Sequence, residues 1–158
     1  MRAGFGYDVH KFAVGRKLIL GGVEIKHTKG LMGHSDADVL LHSICDALLG
    51  AAGLSDIGHY FPNTDSKWKN ISSLILLQES HKLLKKKKFR IVNIDSTVLL
   101  EEPKLSPYID RMKNNICSTL KIRQSQLSIK STTSEGLGFI GRKQGCSAYT
   151  ICSIRQIK

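Results

Sequence analysis

Two residues near the start of the chain could bind a metal ion. Asp8 and His10 are separated by one residue, so on a β-strand both side chains would leave the same face. His42, in a predicted helix, could add a third ligand and leave a fourth position open for a substrate. A surface strand with two polar residues is a commoner cause of this spacing, and a lone histidine is usually an ordinary core or surface residue. These three residues alone therefore do not decide whether the chain binds a metal.

A second pattern places His42 between two carboxylates on one stripe of that helix. Asp38, His42 and Asp46 recur four residues apart. Such a stripe is typical of a charged helix face in contact with solvent. It also fits an arrangement in which one of the carboxylates hydrogen-bonds His42 and orients it towards a metal.

Two further segments contain groups that suit phosphate. Residues 33–36 precede the helix, where free backbone N–H groups favour an anion and His34 could donate a hydrogen bond to it. Residues 131–138 bring hydroxyls and Glu135 to the end of a strand, a combination that suits phosphate and Mg²⁺. Both segments have a purely structural alternative. Ser35 or Asp36 could cap the helix, and a Ser or Thr could form a capping box with Glu135.

Apolar periodicity and turn residues predict the elements that must position these groups. We expect strands over residues 2–11, 89–100, 127–131 and 146–157, and a hairpin over 17–25 that turns at two glycines. We expect helices from a cap at 35 or 36 to 50, from 70 to about 84, and from 107 to about 120, with loops over 27–36, 56–65 and 136–145. The predicted fold is α/β, of the α+β sandwich type: a single domain over 1–158 with a four-stranded mixed sheet, helices on one face and a β-hairpin.

The composition is that of one globular domain. The 158 residues are 41% hydrophobic, which is enough for one packed core. The four cysteines are scattered without a Cys-x-x-Cys pair, so we expect buried free thiols. No segment approaches the roughly 20 apolar residues that cross a bilayer, and the first residues lack a signal-peptide pattern. We therefore expect a cytoplasmic protein with no membrane partner.

The net charge of +11 could attract nucleic acid or a small anionic substrate. The densest basic run, residues 85–88, ends a predicted helix, where cations complement the negative helix terminus. No aromatic residues interleave with this run, as a single-strand binder would require. A hydrated helix end is therefore the preferred interpretation, and we expect no nucleic-acid partner.

Short motifs follow one another along the whole chain in a specific order. They are Gly6-Tyr7-Asp8-Val9-His10, Gly33-His34-Ser35-Asp36-Ala37-Asp38, His42, Asp46-Ala47, Asp56-Ile57-Gly58, Phe61-Pro62, Pro103-Lys104, Thr132-Thr133-x-Glu135 and Gly138-Phe139-x-Gly141-Arg142. This order and spacing resembles the 2-C-methyl-D-erythritol 2,4-cyclodiphosphate synthase family from one end to the other.

The resemblance implies an enzyme of the non-mevalonate route to isoprenoids. Its substrate would be 4-diphosphocytidyl-2-C-methyl-D-erythritol 2-phosphate, and its products a cyclic diphosphate and CMP. It also implies a homotrimer with active sites between neighbouring subunits. One zinc per subunit and a Mg²⁺ or Mn²⁺ ion would serve as cofactors.

Individual roles follow from the resemblance where the motifs match. Asp8, His10 and His42 would hold zinc, and Glu135 would help to hold the second metal. His34 and Thr133 would align the phosphates and stabilise the transition state. Further substrate contacts would come from Ser35, Asp56, Gly58, Phe61, Asn63, Asp65, Leu100, Pro103, Lys104, Leu105, Ser106, Ser131, Thr132, Phe139 and Arg142, of which the last two would line a cavity on the trimer axis.

Three positions depart from the family pattern. Asn63 stands where Asp is usual, Leu100 replaces a small residue beside the cytosine, and Ser131 replaces a commoner Ala.

Two other classes of protein compete with this hypothesis. A zinc hydrolase would use the same three metal ligands to activate water. A basic RNA-binding domain would depend on residues 85–88 and tolerate loss of Asp8.

Overall fold

The computed structural model describes residues 1–157 as a five-stranded sheet, a two-stranded hairpin and helices of different lengths. The strands are β1 (Arg2–Val14), β2 (Leu18–Leu20), β3 (Val23–Ile25), β4 (Lys29–Leu31), β5 (Phe89–Leu99), β6 (Leu127–Thr132) and β7 (Gly145–Gln156). The helices are α1 (Val39–Ala51), α2 (Ile57–Tyr60), α3 (Ser73–Lys86), α4 (Ile109–Leu120) and α5 (Gly138–Gly141), and single 3₁₀ turns lie at Ser66–Trp68, Ser106–Tyr108 and Gln124–Gln126.

The large sheet is mixed and has the strand order β4-β1-β7-β5-β6. β5 and β6 pair in parallel, and the other neighbours are antiparallel. The α/β class is therefore confirmed, but the predicted count of four strands is wrong. The fifth strand is β4, which lies inside the predicted loop over 27–36 and pairs with Phe12–Val14. Three residues around Gly30 carry too little periodicity to reveal a strand, and the pairing with β1 decides their conformation.

Helices α1, α3 and α4 cover one face of this sheet, and the opposite face is open. On the open face β1 and β7 present neighbouring apolar side chains to solvent. Phe5 is 61% exposed and Ile151, its partner in register, is 59% exposed. Tyr7 and Tyr149 pair in the same way, with ring centroids 4.9 Å apart. The sheet thus carries an uncovered aromatic and aliphatic patch across β1 and β7.

Helix α1 lies unusually close to β1. Gly4 and Gly6 face the helix, and a Cβ atom added to either would lie 2.0 Å from a backbone oxygen of α1, that of Ala47 or of Ser43. Any larger side chain would push the helix away from the strand. These two glycines therefore set the distance between the elements that carry Asp8, His10 and His42.

The N-terminus of α1 is capped by Asp38, which is fully buried. Its carboxylate accepts hydrogen bonds from the backbone N–H of Leu41 at 3.1 Å, Gly21 at 3.0 Å and Gly22 at 2.7 Å. One side chain therefore satisfies both the free end of the helix and the turn of the β2–β3 hairpin.

The predicted cap at Ser35 or Asp36 is wrong. The chain takes a positive φ of 57° at Ala37, so the helix begins two or three residues later than expected. Asp36 instead accepts hydrogen bonds from Ser73 at the start of α3.

Burial, and then the charge of Asp36, raise the pKa of Asp38 to about 7, while the three backbone amides act in the opposite direction.

Several smaller expectations can be compared with the structure. The hairpin turn at Gly21 and Gly22 is confirmed, and all four cysteines are buried and free. Residues 85–88 are exposed at the C-terminus of α3, as a hydrated helix end requires. Among the helices formed by residues 1–157, none combines the length and the apolar character needed to span a membrane.

Gly6→Ala should strongly destabilise the fold, because the new methyl group would overlap the backbone of α1. We expect the free energy of unfolding to fall by about 3 kcal/mol, the upper end of typical overpacking costs. Gly50→Ala is the matched control, since Gly50 lies in α1 itself with no atom within 4 Å of an added Cβ. Chemical denaturation of both variants checks this. Equal stability of the two would show that close contact between β1 and α1 is unimportant.

Candidate metal centre

Asp8, His10 and His42 meet at one point between β1 and α1. His10 Nε2 lies 3.0 Å and His42 Nδ1 lies 2.9 Å from Asp8 Oδ2, and the two nitrogens are 3.2 Å apart. The even-numbered positions of β1 face the helix, which brings both strand residues to His42. The spacing that suggested a shared site in the sequence therefore corresponds to a compact cluster in the structure.

The donor set fits a metal ion in both size and chemistry. Bonds of about 2.0–2.2 Å in a tetrahedral arrangement place ligand atoms roughly 3.3 Å from one another, close to the three distances found. One carboxylate and two imidazoles form a set typical of Zn²⁺ and related transition metals, and it leaves one position open.

Each histidine is held from its far side. His10 Nδ1 donates to the backbone oxygen of Met32 at 2.7 Å, which leaves the Nε2 lone pair free for a metal. His42 Nε2 lies 2.9 Å from Ser73 Oγ and 3.2 Å from Ser35 Oγ. The nitrogens that face Asp8, His10 Nε2 and His42 Nδ1, have contacts only within the three-residue cluster.

The charges in the cluster favour an ionised carboxylate. Burial opposes ionisation of Asp8, but hydrogen bonds from His10 and His42, together with their charge, outweigh it and hold the pKa of that carboxyl well below its usual range. Burial lowers the pKa of His10, whereas the hydrogen bond and the charge of Asp8 raise it, and the net change is upward. Asp8 is therefore available as an anionic ligand.

The carboxylates expected to flank His42 have other partners. Asp38 caps α1, and it is buried rather than part of a charged surface. Asp46 Oδ1 accepts the backbone N–H of Ile57 at 2.9 Å and so holds α2 against α1. The hypothesis that one of them orients His42 is wrong, because both carboxylates are hydrogen-bonded to backbone N–H groups of other elements. Ser73, the residue that contacts His42, was missed.

A cavity of about 230 Å³ opens beside the cluster. Of the residues predicted to bind substrate or metal, those that line it are Asp8, His10, His34, Ser35, His42, Gly58, Phe61 and Asn63. Sequence reasoning missed Trp68, which packs edge-on against Phe61 with ring centroids 5.0 Å apart. Within residues 1–157 the buried Nε2 of His34, a residue that lines this cavity, has no hydrogen-bond partner.

Two residues predicted to contact substrate, Asp56 and Asp65, do not line this cavity and instead cap local turns beside it. Asp56 accepts the backbone N–H of His59 at 2.9 Å and caps α2. Asp65 accepts that of Lys67 at 2.9 Å and caps the 3₁₀ turn. Both side chains are exposed, so they shape the rim of the loop that carries Gly58 and Asn63.

A second cleft, of about 240 Å³, lies at the ends of β5 and β6. It gathers most of the remaining predicted residues, namely Leu100, Pro103, Lys104, Leu105, Ser106, Ser131, Thr132 and Thr133. Glu101 also lines it and accepts hydrogen bonds from Ser134 N at 2.8 Å and Oγ at 3.0 Å. This contact fixes the turn in which Thr133 Oγ1 donates to Glu135 Oε1 at 3.2 Å.

The capping-box alternative for this turn is wrong. Helix α5 begins only at Gly138, and no side chain caps its N-terminus. The exposed hydroxyls of Thr132 and Thr133 and the exposed carboxylate of Glu135 therefore remain available to a ligand. Phe139 and Arg142 lie elsewhere, in a third and larger depression of about 580 Å³ that includes Val9, Lys11 and Lys29.

The metal cluster and the second cleft lie at the same end of the sheet but on different strands. Asp8 is in register with Ala148, Ala148 with Val98, and Val98 with Ser131. Three strand spacings separate the first from the last, or roughly 14 Å. The two clefts share no lining residue.

Comparison with known proteins identifies the family of the chain. The sequence model of the YgbB family matches residues 1–155. The chain belongs to the YgbB family. Two relatives in the YgbB family are 2-C-methyl-D-erythritol 2,4-cyclodiphosphate synthases. That of Syntrophomonas wolfei is 57% identical over 99% of this chain and 99% of its own length. That of Caldicellulosiruptor bescii is 59% identical over 97% of this chain and 98% of its own length.

A solved structure shares the fold of this YgbB family member over nearly its whole length. The IspF–CDP complex of Plasmodium falciparum matches with a TM-score of 0.87 and 37% sequence identity, and the match covers 99% of this chain and 97% of that one. The five-stranded α/β fold is therefore that of the solved enzyme.

His42→Ala should abolish metal binding by this YgbB family member, because two remaining ligands cannot close a tight site. We expect wild-type protein dialysed against Zn²⁺ to retain about one ion per chain, and the variant to retain almost none. His59→Ala is the control, since His59 is an exposed histidine of α2. Elemental analysis by mass spectrometry gives the metal content. Full zinc occupancy in the His42 variant would contradict the cluster as a metal site.

Proposed function

We propose that the protein converts 4-diphosphocytidyl-2-C-methyl-D-erythritol 2-phosphate into 2-C-methyl-D-erythritol 2,4-cyclodiphosphate and CMP. It would thus be a phosphorus–oxygen lyase of non-mevalonate isoprenoid biosynthesis. The observation that carries this proposal is the end-to-end identity above 50% with synthases of that name. The metal cluster beside a polar cavity gives the proposal a chemical basis. A cytoplasmic location stays a prediction.

The reaction needs positioning more than it needs a protein nucleophile. The 2-phosphate of the substrate attacks its own β-phosphorus, and CMP leaves with the electrons of the broken P–O bond. The chain must therefore hold two anionic phosphates close together and exclude competing water. His34 and Thr133 are the groups proposed to align these phosphates. The free Nε2 of His34 and the exposed hydroxyl of Thr133 support that role.

The proposed metal ligands form two groups, one in the cavity beside α1 and one in the turn that follows the second cleft. Asp8, His10 and His42 would hold zinc, and Glu135 would help to hold Mg²⁺ or Mn²⁺. The bound cations would neutralise phosphate charge and polarise phosphoryl oxygens. The exposed carboxylate of Glu135, steadied by Thr133, is an oxygen ligand of the kind that these harder cations prefer.

The substrate would extend between the clefts. The cavity beside the metal cluster, with Ser35, Gly58, Phe61 and Asn63, would take the methylerythritol phosphate, and Asp56 and Asp65 would contribute from its rim. The second cleft, lined by residues 100–106 and 131–133, would take the cytidine. The solved Plasmodium falciparum relative binds CDP, a ligand with the same nucleoside diphosphate as this substrate.

We further propose a homotrimer in which each active site combines clefts of two subunits. The open face of the sheet supports this assembly. It exposes neighbouring apolar side chains, and a contiguous patch of this kind is typical of a protein–protein contact; its residues are Phe5, Tyr7, Tyr149 and Ile151. Burial of this face against equivalent faces would place β1 and β7 around a common axis. Phe139 and Arg142 would then line the space near that axis.

Phosphorus NMR distinguishes cyclisation from hydrolysis. With the diphosphocytidyl substrate and Mg²⁺, we expect signals of a cyclic diphosphate and CMP to grow in equal amounts. Glu135→Gln should slow both by on the order of tenfold to 100-fold, as loss of one group at a metal typically does, while zinc content stays unchanged. Release of a linear product by attack of water would contradict the proposal and favour a zinc hydrolase.

Mixing two impaired variants tests whether the site is shared between subunits, because co-refolding should then raise activity above that of either variant alone. Asp8→Asn removes the zinc half and Glu135→Gln the second half. Random assembly of equal amounts in a cyclic trimer leaves roughly a quarter of the interfaces with two intact halves. We expect activity to return when the variants are unfolded and refolded together. No recovery, with mixed trimers verified by native mass spectrometry, would confine each site to one chain.

A further inference from the structure

A chain of hydrogen bonds leads away from the metal cluster through His42. The Nδ1 atom of His42 faces Asp8, and its Nε2 atom lies 2.9 Å from Ser73 Oγ at the start of α3. Ser73 Oγ in turn contacts Asp36 Oδ1, while the backbone N–H of Ser73 donates to Asp36 Oδ2 at 3.0 Å. Ser73 is fully buried, so water does not compete for these contacts.

The chemistry of His42, Ser73 and Asp36 gives this series of hydrogen bonds a direction. An ionised carboxylate only accepts hydrogen bonds, so the hydroxyl proton of Ser73 must point to Asp36. The oxygen of Ser73 can then only accept from His42, and Nε2 must carry a hydrogen. In a neutral imidazole the lone pair is then on Nδ1, the nitrogen that faces Asp8 and His10.

The other neighbour of His42 does not reverse this direction. Ser35 Oγ is further from Nε2, at 3.2 Å, and its hydroxyl proton can point to Ser73 Oγ at 3.4 Å while its oxygen accepts the backbone N–H of Ala37 at 3.1 Å. His10 provides a precedent within the same cluster, because its far nitrogen donates to the backbone oxygen of Met32. The difference is that the partner of His42 is a side chain, which comes from a separate helix.

We propose that Ser73, held by Asp36, is a positioning residue that fixes the tautomer and ring orientation of His42 so that Nδ1 is presented to the metal. This inference rests on the metal role proposed for Asp8, His10 and His42. It adds two residues outside the metal ligands, and it makes the N-terminus of α3 part of the apparatus that determines metal affinity.

The backbone around these residues supports a rigid connection. The N–H of Asn70 donates to the oxygen of His34 at 2.8 Å, and the N–H of Asp36 donates to the oxygen of Ile71 at 3.1 Å. The loop before α1 and the segment before α3 are thus joined by two backbone hydrogen bonds next to the Asp36–Ser73 contact. A shift of α3 would be transmitted directly to His42.

Zinc affinity and a cobalt spectrum test the proposal without reference to turnover. Ser73→Ala should weaken zinc binding about tenfold to 100-fold in competition with a chelator, the usual effect of removing the partner of a ligating histidine. Its Co²⁺ derivative should show an altered ligand-field absorption, since His42 is then free to rotate. Ser73→Thr, which keeps the hydroxyl, should restore most of both properties.

Ser80→Ala is the matched control, because Ser80 is an equally buried serine of α3 that lies outside the hydrogen-bond chain. It should keep wild-type zinc affinity and a wild-type cobalt spectrum. Asp36→Asn is a second test, since an amide can donate to Ser73 and turn its hydroxyl proton towards His42. It should also weaken zinc binding, and this test does not depend on the folding of Ser73→Thr.

The possible failures are distinct. If Ser73→Ala and Asp36→Asn bind zinc as tightly as Ser80→Ala and leave the cobalt spectrum unchanged, Ser73 does not position the ligand. Weaker binding that Ser73→Thr, when folded, does not restore would also count against the hydroxyl. Retention of zinc by His42→Ala would instead contradict the metal site itself.

Discussion

The metal cluster depends on how closely β1 can approach α1. Side chains of a strand alternate between its faces, so positions 4, 6, 8 and 10 of β1 all point towards the helix. The first two are glycines, whose backbone touches the backbone of α1. The next two, Asp8 and His10, reach His42 only because the glycines have closed the gap. The two-residue alternation of β1 therefore places both the glycines that contact α1 and the metal ligands Asp8 and His10 on the face towards the helix.

The loop before α1 joins the remaining elements to this contact. Its two carboxylates are two residues apart and serve different neighbours. Asp38 binds the turn of the β2–β3 hairpin and the first turn of α1, while Asp36 binds the start of α3. The positive φ of Ala37 separates the directions in which the two side chains point. Like charges this close would repel in a bare loop, and backbone and hydroxyl donors compensate for this repulsion.

The sequence predicted the α/β class, the hairpin and most of the long elements, because their periodicity is local. It missed β4, since three residues around Gly30 form a strand only through pairing with β1. It also assigned the α1 cap to the wrong residue, because Ser35, Asp36 and Asp38 are all good capping residues. Asp8, His10 and His42 could be grouped from spacing and resemblance. Ser73 could not, since a serine at the start of a helix is ordinarily explained as part of its cap.

The position of β7 has a consequence for synthesis on the ribosome. β7 is the last strand in chain order, yet it lies in the middle of the sheet, between β1 and β5. Arg2 is paired with Ile154, so the two ends of the sheet's sequence meet in one ladder. While the chain is still emerging, β1 and β5 have no central strand to pair with, and the backbone N–H and C=O groups along those edges stay unpaired. The sheet can therefore close only after residues 145–156 have left the exit tunnel, so β1 and β5 stay without their common neighbour until late in synthesis and are open to aggregation before then.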